Sequence, residues 1–132
     1  MKIADALTGV THLGVDTAPF IYLIERHPVY LGRARAIFTE IAQGNITGVS
    51  SIVTLTEVLT QPLKTNNHQL EQAYRRILLR SRHVTLRAID VPTAEKAAQL
   101  RAAYALRTPD AFQIATALQA GCQAFLTNDR GL

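Results

Sequence analysis

Four acidic residues stand where an apolar strand or helix face ought to continue. They are Asp16 in Leu-Gly-Val-Asp-Thr, Glu57 in Val-Thr-Leu-Thr-Glu-Val-Leu, Asp110 in Thr-Pro-Asp-Ala-Phe-Gln-Ile-Ala and Asp129 in Phe-Leu-Thr-Asn-Asp. Two carboxylates about 4 Å apart repel by roughly 4 kcal/mol at an effective dielectric near 20. If the four converge, they need a counter-ion, and a hard divalent cation that prefers oxygen ligands is the natural one. Taken singly, each has an ordinary explanation. Asp16 can cap a helix, Asp110 can be a first-turn charge, Asp129 can sit in a turn and Glu57 can face water. Four such accidents in one ordered set are a poor explanation of the whole.

The elements that must position these acids follow from the apolar pattern. His12 to Asp16 reads as a first strand, and a helix follows from about Pro19 to Glu25. Ile37, Phe38 and Ile41 fall at helical spacing within Val29 to Gln43, which Gly44 stops. Ile46 to Val49 is a second strand. Ser50 and Ser51 can cap a third helix through about Leu59, with Pro62 beyond its end, although the β-branched run Ile-Val-Thr-Leu-Thr speaks against a helix there. A basic helix from His68 to Arg82 carries Arg75, Arg76 and Arg80. Val84 to Ile89 is a third strand, Thr93 to Tyr104 an Ala-rich helix, Thr108 to Gly121 another helix, and Ala124 to Thr127 a last strand. Strands alternating with helices predict an α/β fold, a three-layer α/β/α domain on a parallel sheet of four to five strands. Ligands of such sheets bind beyond the carboxyl ends of the strands. Asp16 and Asp129 fall at such ends, and Asp110 and Glu57 on helices that can reach the same edge.

The 132 residues suit one domain. No apolar run is long enough for a membrane helix, Asp5 interrupts the stretch a signal peptide would need, and Cys122 has no internal partner. A reducing cytoplasm is the expected location. The net charge is +4, with 14 basic residues against 10 acidic ones. Arg outnumbers Lys, which favours planar, bidentate contacts to phosphate. Turning four acids inward would leave a basic exterior suited to a polyanion.

Asp-Thr after an apolar strand, Thr-x-x-Glu-Val-Leu, Thr-Pro-Asp-Ala-x-x-Ile-Ala-x-Ala-Leu and Phe-Leu-Thr-Asn-Asp together resemble the PIN domain. The likeness is greatest to the small VapC-type toxin ribonucleases and covers about residues 12 to 132. It implies an endoribonuclease dependent on Mg²⁺ or Mn²⁺, with Asp16, Glu57, Asp110 and Asp129 as metal ligands and catalytic residues. Thr127 corresponds to the family's hydroxyl residue near the last acid. Thr127, Asn128, Thr17 and Arg130 are the candidate substrate contacts. The resemblance also implies RNA as substrate, products with a 5′-phosphate and a 3′-hydroxyl, a homodimer, and a VapB-like antitoxin partner whose tail fills the site.

Two features depart from the compact members: about ten residues (1–11) precede the first strand, and the sequence stops at Leu132 where relatives continue into another strand. The alternatives are a catalytically impaired PIN-like RNA-binding or scaffolding domain, or a PIN nuclease of RNA processing without an antitoxin. A dehalogenase-like phosphatase would need a second Asp where Ala18 stands, and a receiver domain would need a lysine near Thr127. A P-loop would need a glycine-rich run ending in Gly-Lys. The chain has none of these.

Overall fold

The computed structural model describes residues 6–128. The first strand, β1 (His12–Val15), is short, and its last three residues are all buried. Leu13 and Val15 turn to one side of the sheet and Gly14 to the other, as a period of two demands. A Cβ on Gly14 would lie 2.6 Å from Ala117 Cβ and 2.9 Å from Phe125 Cδ1. The glycine is therefore what lets a helix pack this close to the centre of the sheet.

The chain continues through α1 (Thr17–Ile24), α2 (Leu31–Ala42), β2 (Thr47–Ser51), α3 (Ile52–Lys64) and α4 (His68–Leu79). It then forms β3 (Val84–Arg87), α5 (Val91–Tyr104), α6 (Thr108–Gln119) and β4 (Ala124–Leu126). The four strands lie in the order β3-β2-β1-β4, all parallel. The expected α/β architecture, a parallel sheet flanked by helices, is therefore what the chain adopts, with four strands among the described residues.

One face of the sheet carries the larger core. Leu13 and Val15 meet Phe20, Phe38, Ile41, Val58, Leu59 and Leu78 from α1 to α4. Tyr74 is buried in the same cluster and donates its hydroxyl to the Glu25 carboxylate. Burial first, and that carboxylate second, push the phenol far above its ordinary range, so it remains a donor. The opposite face is built from small residues. Ala97 of α5 packs on Ala111 and Ala115 of α6. Leu7 and Val10, in the segment before β1, pack against the larger core, so part of the 1–11 extension contributes to the fold. Residues 1–5 lie outside the described residues.

Two sequence expectations are corrected. Pro62 lies inside α3, not beyond it. The helix survives a proline that removes a backbone donor because Thr54, Val58, Leu59 and Pro62 form one buried stripe. Burial of that stripe also overrides the β preference of its first turn. The basic helix ends at Leu79, leaving Arg82 in the following turn.

Candidate active site

The strand order reverses beside β1. The chain proceeds outward to β2 and β3, then returns to place β4 on the other side of β1. Such a switch point leaves a crevice beyond the carboxyl ends of the two strands. Asp16 follows β1 there, and its backbone N–H donates to Leu126 O at 2.9 Å. Its side chain has two partners: Oδ1 accepts from Thr17 N and Oδ2 accepts from Thr127 Oγ1, both at 2.8 Å. Asp16 is thus the N-cap of α1 and a member of the crevice at once. The capping explanation and the site explanation are not exclusive.

Asp16, Thr17, Glu57, Asp110 and Asn128 line one cavity of about 310 Å³, together with Ala18, Ile21, Tyr22 and Arg107. Three acids from three segments therefore share one cavity. Asp16 and Asp110 are buried, while Glu57 is exposed. Asp110 lies in the first turn of α6, where the helix dipole favours a negative charge. Its Oδ2 accepts from Arg107 Nε at 3.0 Å. Thr127 lies just after β4, and Asn128 Nδ2 donates to Tyr22 OH at 2.7 Å. Asp129 and Arg130 lie outside the described residues.

A buried polar network fixes this edge. Thr17 Oγ1 donates to Glu57 Oε1 at 2.7 Å. Ser50 Oγ donates to Val15 O at 2.8 Å, so in its 2.7 Å contact with Thr54 Oγ1 it must accept. Gln113 Nε2 then donates to Thr54 Oγ1 at 2.6 Å and to Thr17 Oγ1 at 3.3 Å. Its Oε1 accepts from Ser51 N at 3.3 Å. One amide thereby ties α6 to β2, α3 and α1. Among the described residues, no buried side-chain nitrogen or oxygen lacks a partner.

The sequence assigns no site role to Gln113, Thr54, Arg107 or Tyr22, and Ser50, expected as a helix cap, lies instead in β2 and bonds Val15 O. A signal existed for two of them. Gln113 follows Asp110 by three positions and Thr54 precedes Glu57 by three, so each shares a helix face with an acid.

The donor set can be tested against a divalent cation. Carboxylate oxygens from three elements are the right kind of ligand for Mg²⁺ or Mn²⁺. Among the described residues, however, no three His, Cys, Asp or Glu side chains stand close enough to hold one ion. The chemistry of the cavity fits the ion, and the described carboxylates alone do not close around it.

The chain is thus a parallel α/β domain with an acid-lined cavity at the switch point of its sheet. It belongs to the PIN domain family, which it matches over residues 14–132. Solved structures of the same fold include the Mycobacterium tuberculosis toxin VapC20, which cleaves the sarcin-ricin loop. It is 19% identical with a TM-score of 0.72, and the match covers 91% of each chain. A toxin–antitoxin complex from Klebsiella pneumoniae is 22% identical, with a TM-score of 0.69 over 92% of this chain and 89% of that one. VapBC2 of Rickettsia felis, bound to a DNA fragment from its promoter, is 16% identical, with a TM-score of 0.71 over 90% and 88%. No curated protein sequence matches the chain significantly. Among the described residues, no helix is long and apolar enough to cross a membrane.

Proposed function

We propose that this protein is a Mg²⁺- or Mn²⁺-dependent endoribonuclease and the toxin of a type II toxin–antitoxin pair. The observation that carries the reading is the meeting of Asp16, Glu57 and Asp110 in one cavity at the switch point. These three acids, with Asp129, are assigned as the metal ligands and catalytic residues. When bound, the ion supplies an activated water and neutralises charge on the transferring phosphoryl group.

The chain's own residues do the positioning. Thr127 orients the Asp16 carboxylate, and Thr17 directs Glu57 into the cavity. Asn128, Arg130 and Thr127 are assigned to the substrate, whereas Thr17, the other candidate contact, acts through Glu57. Arg107, exposed at the cavity's rim, offers a guanidinium to the phosphodiester backbone. The VapC20 and VapBC2 likenesses support an RNA substrate and a VapB-like antitoxin. Cytoplasmic location and a homodimer follow from the same reading.

The test is cleavage of single-stranded and structured RNA with Mg²⁺ or Mn²⁺, with EDTA, and with the Asp16→Asn and Asp110→Asn variants. Cleavage should cease in EDTA and fall on the order of 10²–10³-fold in either variant, as when a charge-stabilising group is removed. Undiminished cleavage by folded Asp16→Asn would end the assignment. The spacing of the described carboxylates favours one second reading, an RNA-binding PIN domain without cleavage. In that case both variants would bind RNA as the parent does, and no condition would yield product.

A further inference from the structure

A second, smaller cavity of about 130 Å³ adjoins the acidic one, lined in part by Pro19, Tyr22, Tyr30, Arg33, Leu126 and Asn128. Tyr22 and Asn128 line both cavities and so form the wall between them. Thr127, which also lines the smaller cavity, reaches across to Asp16 Oδ2.

The aromatic side of this cavity is held rigidly. The Tyr22 and Tyr30 ring centroids are 5.1 Å apart, and His27 lies 4.8 Å from each, stacked on Tyr30 at 25°. His27 Nδ1 accepts from the backbone N–H groups of Val29 and Tyr30, both at 3.1 Å. That pins the loop from which Tyr30 projects. The Tyr22 hydroxyl is fixed in turn by Asn128 Nδ2 at 2.7 Å. Pre-ordered rings lose little conformational freedom on meeting a ligand.

We propose that this smaller cavity is a nucleobase subsite, which takes the base of a single-stranded RNA nucleotide next to the phosphodiester in the acidic cavity. The proposal rests on the nuclease reading for what occupies the acidic cavity. Four observations choose a base as the occupant. The walls offer aromatic rings, on which unpaired bases stack. Asn128 supplies a carboxamide, the group that reads base edges by hydrogen bonding. Arg33 supplies a guanidinium for the backbone. A base and its own phosphate are separated by one sugar, and here one shared wall separates the aromatic cavity from the acidic one.

The experiment uses a labelled single-stranded RNA decamer and copies in which an abasic residue is moved along the strand. Binding is measured in EDTA, and cleavage is measured separately with Mn²⁺. One abasic position should weaken binding roughly 5- to 150-fold, the fold-change equivalent to the 1–3 kcal/mol of stacking one base. Tyr30→Ala should lose affinity for the intact strand by a similar factor and become indifferent to that abasic position. Tyr30→Phe, which keeps the ring, should behave as the parent, and thermal unfolding of both variants controls for the fold.

A flat abasic scan beside normal cleavage would overturn the subsite and leave the nuclease reading intact. A position-specific abasic effect in EDTA, without cleavage in any metal, would uphold the subsite and remove the nuclease. If Tyr30→Ala binds RNA as the parent does while losing an antitoxin peptide, the cavity belongs to a protein partner and the proposal fails.

Discussion

Arg107 Nε donates to Asp110 Oδ2 at 3.0 Å, so a carboxylate of the acidic cavity is already neutralised from within the chain. The arginine side chain is 77% exposed and the aspartate 13%. An exposed pair of this kind contributes about 0.2–1 kcal/mol. If Asp110 is a metal ligand, as proposed, arginine and metal ion would compete for one oxygen, so removing the arginine should help the ion. Arg107→Ala should tighten Mn²⁺ binding by roughly 1.5- to 5-fold, the ratio those energies imply, as measured by calorimetric titration. The same variant should bind RNA more weakly, with a salt dependence about one unit shallower. Unchanged Mn²⁺ affinity would mean that the pair and the metal do not share Asp110.

Asp90 gives a pH dependence of known sign. It caps α5, accepting from Thr93 Oγ1 at 2.6 Å and Thr93 N at 3.0 Å. The side-chain bond first, then the backbone bond, hold its carboxyl below the ordinary 3.8. A carboxyl with a depressed pKa in the folded state adds stability that is present above the unfolded pKa. That stability is lost as pH falls through the folded pKa. The stability difference between the parent and Asp90→Ala should therefore stay level from neutrality to about pH 4–5 and shrink below it. Urea unfolding at a series of pH values measures this, and a difference that grows on acidification would contradict the cap.

How much of this was legible in the sequence depends on the range of the interaction. The layered architecture came through because short strand-like segments alternate with helical patterns. The second strand, expected at Ile46 to Val49, nevertheless runs from Thr47 to Ser51 and takes in both serines expected as caps. The edge where the acids lie could be read because Asp16 directly follows a strand and Asp110 directly follows a Thr-Pro helix start. The third helix was obscured because its first turn, Ile52 to Thr56, is rich in β-branched residues, and only the buried stripe through Pro62 makes it a helix. Gln113 could be placed on the Asp110 face by its spacing, but what it would bond to could not be read. Its partners Thr54 and Thr17 lie 59 and 96 residues away, and hydrophobic periodicity says nothing about which polar groups meet across a sheet.

That amide should matter to stability more than any exposed charge does. Gln113→Leu keeps the volume but leaves Ser51 N–H without its acceptor and Thr54 without a donor. A buried polar group left unsatisfied costs about 1–3 kcal/mol. Chemical denaturation of the variant should show a loss in that range, whereas the exposed neighbour Gln119→Leu should change stability by less than about 0.5 kcal/mol. Equal effects of the two would remove Gln113 from its place at the centre of the network.

Thr17 links that network to the chemistry, because its only hydroxyl proton goes to Glu57 Oε1. Thr17→Val removes the proton while keeping the shape, so Glu57 is left to water and Gln113 loses one acceptor. A hydrogen bond of this class contributes about 0.5–1.5 kcal/mol to stability, a loss small enough to leave the domain folded. If Glu57 acts in the transition state, kcat should fall on RNA while KM changes little, because the hydroxyl positions a catalytic group. Thr17→Ser restores the donor and should restore kcat. A raised KM with kcat intact would instead place Thr17 on the substrate, and full activity in Thr17→Val would separate Glu57 from catalysis.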